Sequence, residues 1–269
     1  MGRFFRALLT TSLLLAAADT LGCGRALQGA VAAAPALLPI SDAQEIQIGA
    51  QAAQQVLQQT PALANASVQA YVDAVGQKVA AHSDRTNIPY HFTVIASTDL
   101  NAFSLPGGYV FITKPLLALM SNEAQLADVL GHEVGHIAAK HSVAQIREAA
   151  IAQGIETAAI GNDSGVTKAI ADAVITLVER GYGRADELQA DQLGALYGSR
   201  AGYDPNQLWQ FLTALSNVTG ESPPWLYPLE THPPAAERVS DLKQYITDQH
   251  LGGVTLDASA FLQATAALR

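Results

Sequence analysis

His132 and His136 stand four residues apart in a stretch with helical patterning, so both imidazoles leave one face of a helix, one turn apart. Two rings in that relation can take two corners of a metal tetrahedron. Glu133 lies about 100° round the helix from His132, which sets its carboxylate beside a water on the metal rather than on the metal itself. A glutamate so placed can take that water's proton and hand it to a leaving amine. This is the chemistry of zinc-dependent peptide hydrolysis.

A catalytic zinc needs a third protein ligand and one open position. Glu187-Leu188-Gln189-Ala190-Asp191 supplies candidates, because Glu187 and Asp191 are i, i+4 on a second helical stretch and share a face. One carboxylate can bind the metal while the other holds the ring N–H of a ligand histidine. Standing alone, such a pair reads as a solvated acidic helix face. Beside the histidine pair, the metal reading is the better one. His82, His91 and His250 have no partnering pattern and read as surface or core fillers. His141 falls about 140° off the face of His136 on a continuous helix and is not expected as a fourth ligand. No G-x-S-x-G is present, so a serine nucleophile has no support.

The elements that must position these residues begin after an export segment. Arg3 and Arg6 precede an apolar run from Ala7 to Ala18, too short to span a bilayer and built like a signal peptide, which we assign to residues 1–22. Cys23, the single cysteine, follows in Thr20-Leu21-Gly22-Cys23-Gly24. A lone cysteine forms no internal disulfide, and here it reads as a lipidation site. The lipobox departs from the usual pattern at Thr20. A soluble periplasmic product cleaved near Ala32-Ala33-Ala34 is the other reading. Residues 23–40, rich in Ala, Gly and Pro, read as a lipid-anchored tether. If Cys23 is lipidated, Gly24 after it points to the outer membrane of a Gram-negative bacterium.

Hydrophobic residues make up 49% of the 269 and charged residues only 14%, which excludes a disordered chain. A net charge of −9 without a Lys/Arg cluster argues against nucleic-acid binding. Helices are predicted from Ser41, capped by Ser41 or by Asp42 with Glu45, and over Ala66–Ala81, Glu123–His141, Val143–Ala159, Val166–Glu179, Arg184–Gly198, Pro205–Leu215 and Ala235–Gln249. His91–Ile95 and Tyr109–Thr113 are β-branched and aromatic runs and read as strands, the second entered through the turn Pro106-Gly107-Gly108. Ala169–Val178 is apolar but short and interrupted, hence a core helix rather than a membrane span.

The ordered set of motifs resembles the HtpX-like and CAAX-prenyl-protease-related zinc metallopeptidases, gluzincins with an H-E-x-x-H helix and a later E-x-x-A-D helix. The matching pieces are Asn101–Gly108 with its following strand, Gly131–Ile137 with His141, Arg184–Asp191, and Thr231-His232-Pro233-Pro234 leading to Arg238. The resemblance covers roughly residues 41–249. It implies zinc held by His132, His136 and Glu187, with Asp191 orienting a ligand histidine and Glu133 as general base. His232 would lie near the metal, stabilising the oxyanion or blocking the open position. Gly107, Gly108, Tyr109 and Val110 would belong to an edge strand that binds extended protein substrates by β-addition. Gly183 stands where the family often has Ser, and Gln189 where it often has a second Glu; neither departure removes a ligand.

The expected architecture is α+β and mainly helical, a zincin-type minigluzincin whose small sheet has its edge strand bounding the cleft. One zinc metallopeptidase domain spans 41–250 and a C-terminal tail spans 251–269. The expected activity is endoproteolysis of misfolded or envelope proteins. A periplasmic chaperone that keeps zinc for stability is the rival from another class. A third reading is a latent protease gated by the segment before His232, which carries Trp225 and Tyr227.

Overall fold

The computed structural model describes residues 39–153, 163–219 and 235–268. The export segment with Cys23, nearly all of the tether, and the proline-rich segment with Trp225, Tyr227 and His232 lie outside the described residues.

Helix α1, Asp42–Gln59, is capped by Ser41, whose side chain accepts from the Gln44 backbone N–H while the Gln44 side chain reaches back to the cap. The capping box thus uses Gln44, not Glu45, because Ser41 rather than Asp42 is the residue outside the helix. Glu45 is released for another task. It is buried and accepts two hydrogen bonds from the Arg85 guanidinium, at 2.8 and 2.7 Å, and one from the Gly107 backbone N–H at 3.0 Å.

Helix α2, Ala66–Ala80, buries Val68, Val72, Val75 and Val79 at helical spacing against strand β1, His91–Ile95. Strand β2, Ala102–Leu105, and strand β3, Tyr109–Thr113, complete one sheet in the order β1-β3-β2. β3 pairs parallel with β1, His91 opposite Tyr109, and antiparallel with β2, Leu105 opposite Tyr109. The turn between β2 and β3 holds Gly107 at φ 74° and Gly108 at φ 99°, left-handed backbone that favours glycine.

This order corrects the sequence reading of Gly107, Gly108, Tyr109 and Val110 as an edge strand. Tyr109 and Val110 lie in the central strand, where both rows of backbone groups are already paired. Among the described residues the edges belong to β1 and β2. The β1 edge is sealed, since the Gln69 side chain donates to the Val94 carbonyl and accepts from the Val94 N–H, and the Leu63 N–H donates to the same carbonyl. No described strand pairs with the outer side of β2.

Helix α3, Lys114–Leu119, leads into α4, Glu123–Ala138, in which every residue from Ala124 to Ile137 is buried. Helices α5, His141–Gln153, α6, Ser164–Arg180, α7, Arg184–Arg200, α8, Asn206–Thr219, and α9, Ala235–Asp248, follow. Residues 251–268, read from sequence as a tail, carry α10, Ala258–Ala264, whose Phe261 is fully buried in the main core beside Tyr71. Among the described residues no helix is long and apolar enough to cross a membrane. Ile170, Ala171 and Val174 of α6 instead pack into a second core with Ile48 and Ala52 of α1.

The continuous helix predicted over Glu123–His141 is broken. Lys140 adopts φ 59°, ending α4, and His141 opens α5 on a new axis. His141 therefore does not lie about 140° round one helix from His136.

Candidate metal centre

Helix α4 is anchored before it carries any chemistry. Asn122 caps it by accepting from the Gln125 N–H, and the Leu256 carbonyl accepts from the Glu123 and Ala124 N–H groups. The hydroxyls of Tyr71 and Tyr203 both donate to the Glu123 carboxylate, the latter at 2.6 Å. With the first turn fixed, His132, Glu133 and His136 sit in a fully buried helix, where polar groups cost free energy unless they are paired or await a partner.

Helix α7 packs on α4 at backbone contact. A Cβ on Gly194 would lie 2.7 Å from the His132 backbone nitrogen, and one on Gly131 would lie 2.9 Å from the Gly194 carbonyl oxygen. Only hydrogens at both positions permit this approach, which brings Glu187 over the histidines. Gly194→Ala is expected to push the helices apart and weaken metal binding by about tenfold or more. Isothermal titration with zinc, alongside circular dichroism to verify the fold, checks it.

The His132 and His136 Nε2 atoms are 3.1 Å apart, and each lies 3.6 Å from a Glu187 carboxylate oxygen. These three residues form the one group among the described residues able to hold a metal ion. A tetrahedral ion with ligand bonds of about 2.0–2.1 Å needs donor separations of about 3.3–3.4 Å, which these distances bracket. The charges fit as well. In the protein alone, burial pushes the Glu187 carboxyl up to about 7, against the opposing pull of Arg238 and His132. A cation adds to the compensation that Arg238 and His132 supply only in part.

Both ring nitrogens on the far side of the histidines are engaged. His132 Nδ1 is 2.9 Å from Asp191 Oδ1, so the N–H donates to the carboxylate and Nε2 is left to bind. Burial alone would raise Asp191, but the Arg238 charge and hydrogen bonds outweigh it and hold the carboxyl at about 2. Arg238 Nε and Nη2 donate to Asp191 at 2.7 and 2.6 Å, and Nη1 lies 3.4 Å from Glu187. Of the pair Glu187 and Asp191, the first lies in the cluster of donors and the second behind His132.

Glu133 is not one of the three donors; its carboxylate accepts from the Ser104 hydroxyl of β2 at 2.8 Å. Burial raises the Glu133 carboxyl, tempered by His132 and the Ser104 hydrogen bond. A buried, raised carboxyl held by one donor is suited to taking and returning a proton.

Several contributors escaped the sequence reading. Ser104 and Arg238 lay inside motifs but carried no signal of a role. Tyr182 stacks on the His136 ring at 3.9 Å and 18°. His141 hydrogen-bonds His136 and Gln189, at 2.9 and 3.0 Å. It is not one of the three donors, yet it reaches the ring of one of them. His91 is exposed and stacks on Tyr109, and His82 is exposed and bonds the Lys78 carbonyl, in keeping with the bland reading.

Residues 66–246 match peptidase family M48, and the chain belongs to that family. It is 25% identical over 221 residues to the beta-barrel assembly-enhancing protease of Escherichia coli strain K12, covering 76% of this chain and 44% of that protein. It is 28% identical over 193 residues to the mitochondrial metalloendopeptidase OMA1 of Schizosaccharomyces pombe, covering 70% of this chain and 56% of the relative. Metalloprotease YcaL of Escherichia coli strain K12 is 27% identical over 163 residues, covering 59% and 63% respectively. The chain thus spans about two fifths of the length of the beta-barrel assembly-enhancing proteases it matches, 38% and 44% in the Vibrio cholerae and Escherichia coli proteins.

Proposed function

We propose that this M48 chain is a zinc-dependent endopeptidase that cleaves extended segments of protein chains in the bacterial envelope. The observation that carries the reading is the convergence of His132 Nε2, His136 Nε2 and a Glu187 carboxylate, with Glu133 buried beside them but turned to Ser104. Zinc bound by these three residues supplies a Lewis acid that polarises the scissile carbonyl and acidifies water. Glu133 takes the proton of the attacking water and returns it to the leaving amine. Asp191, gripped by Arg238, holds His132 with its Nε2 lone pair forward. The resemblance implies a role for His232 at the open position, as oxyanion stabiliser or block; that residue lies outside the described residues.

Extended substrate pairs with the outer side of β2, because Ser104 on that strand already touches Glu133 and no described strand occupies that edge. Removal of the segment 1–22 on export and lipidation of Cys23 would tether the domain to the outer membrane. The basic and apolar pattern of the first residues and the names of the bacterial relatives support an envelope setting, with misfolded or envelope proteins as substrates in protein quality control.

The test is casein cleavage by the purified full chain. Treatment with 1,10-phenanthroline is expected to abolish turnover, and one equivalent of zinc to restore it. Cleavage that survives removal of the metal rejects the reading.

A further inference from the structure

The histidines of the metal group are backed by different chemistry. Behind His132 stands a carboxylate, Asp191, itself fixed by the buried Arg238. Behind His136 stands another imidazole. His136 Nδ1 and His141 Nδ1 are 2.9 Å apart, and His141 Nε2 is 3.0 Å from Gln189 Oε1. For His136 Nε2 to bind a metal its lone pair must face the ion, so its proton sits on Nδ1 and donates to His141 Nδ1. His141 then carries its proton on Nε2 and donates to the Gln189 carbonyl oxygen. The groups in that chain are imidazole and carboxamide, where His132 has a carboxylate. Asp186, the carboxylate beside it, is 3.6 Å from His141 Nε2, beyond a hydrogen bond.

We propose that His141 is a positioning residue for His136, and that the imidazole–amide chain His136–His141–Gln189, where His132 has a carboxylate, makes His136 the weaker arm of the metal site. The proposal rests on His132, His136 and Glu187 being the metal ligands. A carboxylate accepting a ring N–H pushes electron density toward the ligating nitrogen more strongly than a neutral acceptor does. His132 is therefore the stronger donor. His136 keeps its orientation from His141 on one side and the Tyr182 ring stacked at 3.9 Å on its face. The break at Lys140 makes this possible, because only a change of helix axis lets residue 141 reach back to residue 136. A metal held by unequal arms can loosen at one ligand without leaving the others.

The test uses the full chain with the metal alone as probe. Zinc release to a colorimetric chelator and the visible spectrum of the cobalt(II) form are measured for the wild type, His141→Leu, His141→Asn and Gln189→Glu. Leu removes the acceptor, while Asn keeps an oxygen near the Nδ1 position. His141→Leu is expected to release zinc about 10- to 100-fold faster and to alter the cobalt spectrum. His141→Asn is expected to stay within a few-fold of the wild type, as rescue by a retained acceptor. Gln189→Glu is expected to slow release by about tenfold, by placing a carboxylate at the end of the chain. Gln189 is exposed, so this variant folds whether or not His141→Leu does. If Gln189→Glu leaves release unchanged or faster, the charge argument is overturned. If a folded His141→Leu keeps the wild-type spectrum and release rate, the positioning role is overturned. A wild type that fails to bind one equivalent of zinc instead overturns the assignment of the ligands.

Discussion

Glu133→Gln is expected to lower kcat/KM on a casein-derived peptide by about a thousandfold while zinc content stays at one per chain. The carboxylate is 3% exposed, lies one residue from a metal-group histidine and accepts from Ser104 at 2.8 Å. Glutamine keeps the length and the acceptor for Ser104, so the helix and the ligands are undisturbed. What it loses is basicity, and with it the capacity to take a proton from water and return it to nitrogen. A thousandfold corresponds to about 4 kcal/mol of transition-state free energy, within the usual range for general acid–base groups. Ser104→Ala should cost less, because it leaves the carboxylate in place and removes only its tether. Equal turnover by the wild type and a zinc-loaded Glu133→Gln would reject Glu133 as the proton carrier, and no turnover by the zinc-loaded wild type would leave the rival reading, a zinc-stabilised chaperone.

Arg85→Leu is expected to destabilise the fold by about 3–5 kcal/mol, read as a lower urea midpoint with an unchanged slope. Arg85 is buried and joins three parts of the chain. It grips Glu45 of α1 with two bonds, Asp42 with a third at 2.6 Å, and the Ile137 carbonyl at the end of α4 with a fourth at 3.0 Å. Removing the guanidinium strands Glu45, 1% exposed, as an uncompensated carboxylate. By contrast Lys140→Ala, whose exposed side chain also reaches Asp42, should cost less than about 1 kcal/mol. Replacing Glu45 and Arg85 together by apolar residues should recover most of the loss, since neither charge is then left alone.

The same network sets an acid limit. The Lys140 hydrogen bond, with help from Arg85 and Asn87, holds Asp42 at about 2 against an ordinary 3.8. A depressed carboxyl contributes stability that is full above its ordinary value and is lost as pH falls toward the folded one, here between about 4 and 2. The network also bears on the metal. Ile137 follows His136 directly, so loosening Arg85 frees the end of the helix that carries two residues of the candidate metal group. Helix α1 lies outside the segment matched to the family, residues 66–246, yet supplies Glu45 to this joint. A chain trimmed to residue 66 should therefore bind zinc more weakly than the whole.

Much of the chemistry was legible without coordinates. The spacing of His132, Glu133 and His136, and of Glu187 and Asp191, is a helical period, and helices are local. The strands His91–Ile95 and Tyr109–Thr113 were legible at their full lengths for the same reason, since alternation and β-branched residues act over a few positions. Strand β2 was harder. Ala102–Leu105 is four residues long, and a run that short shows little pattern until a partner is beside it.

What the sequence by itself determined is the set of chemical groups and their local order, because side-chain periodicity follows from backbone geometry within a turn or two. The tertiary structure decided which groups meet. It put β3 in the middle of the sheet, sent Arg238 to Asp191 across 47 positions, and broke the helix at Lys140 so that His141 turns back on His136. Each of these depends on pairing or packing between distant segments, or on a left-handed residue that no local pattern announces. The residues of the candidate metal group could be read one helix at a time; how each is held could not, because its partner comes from another part of the chain.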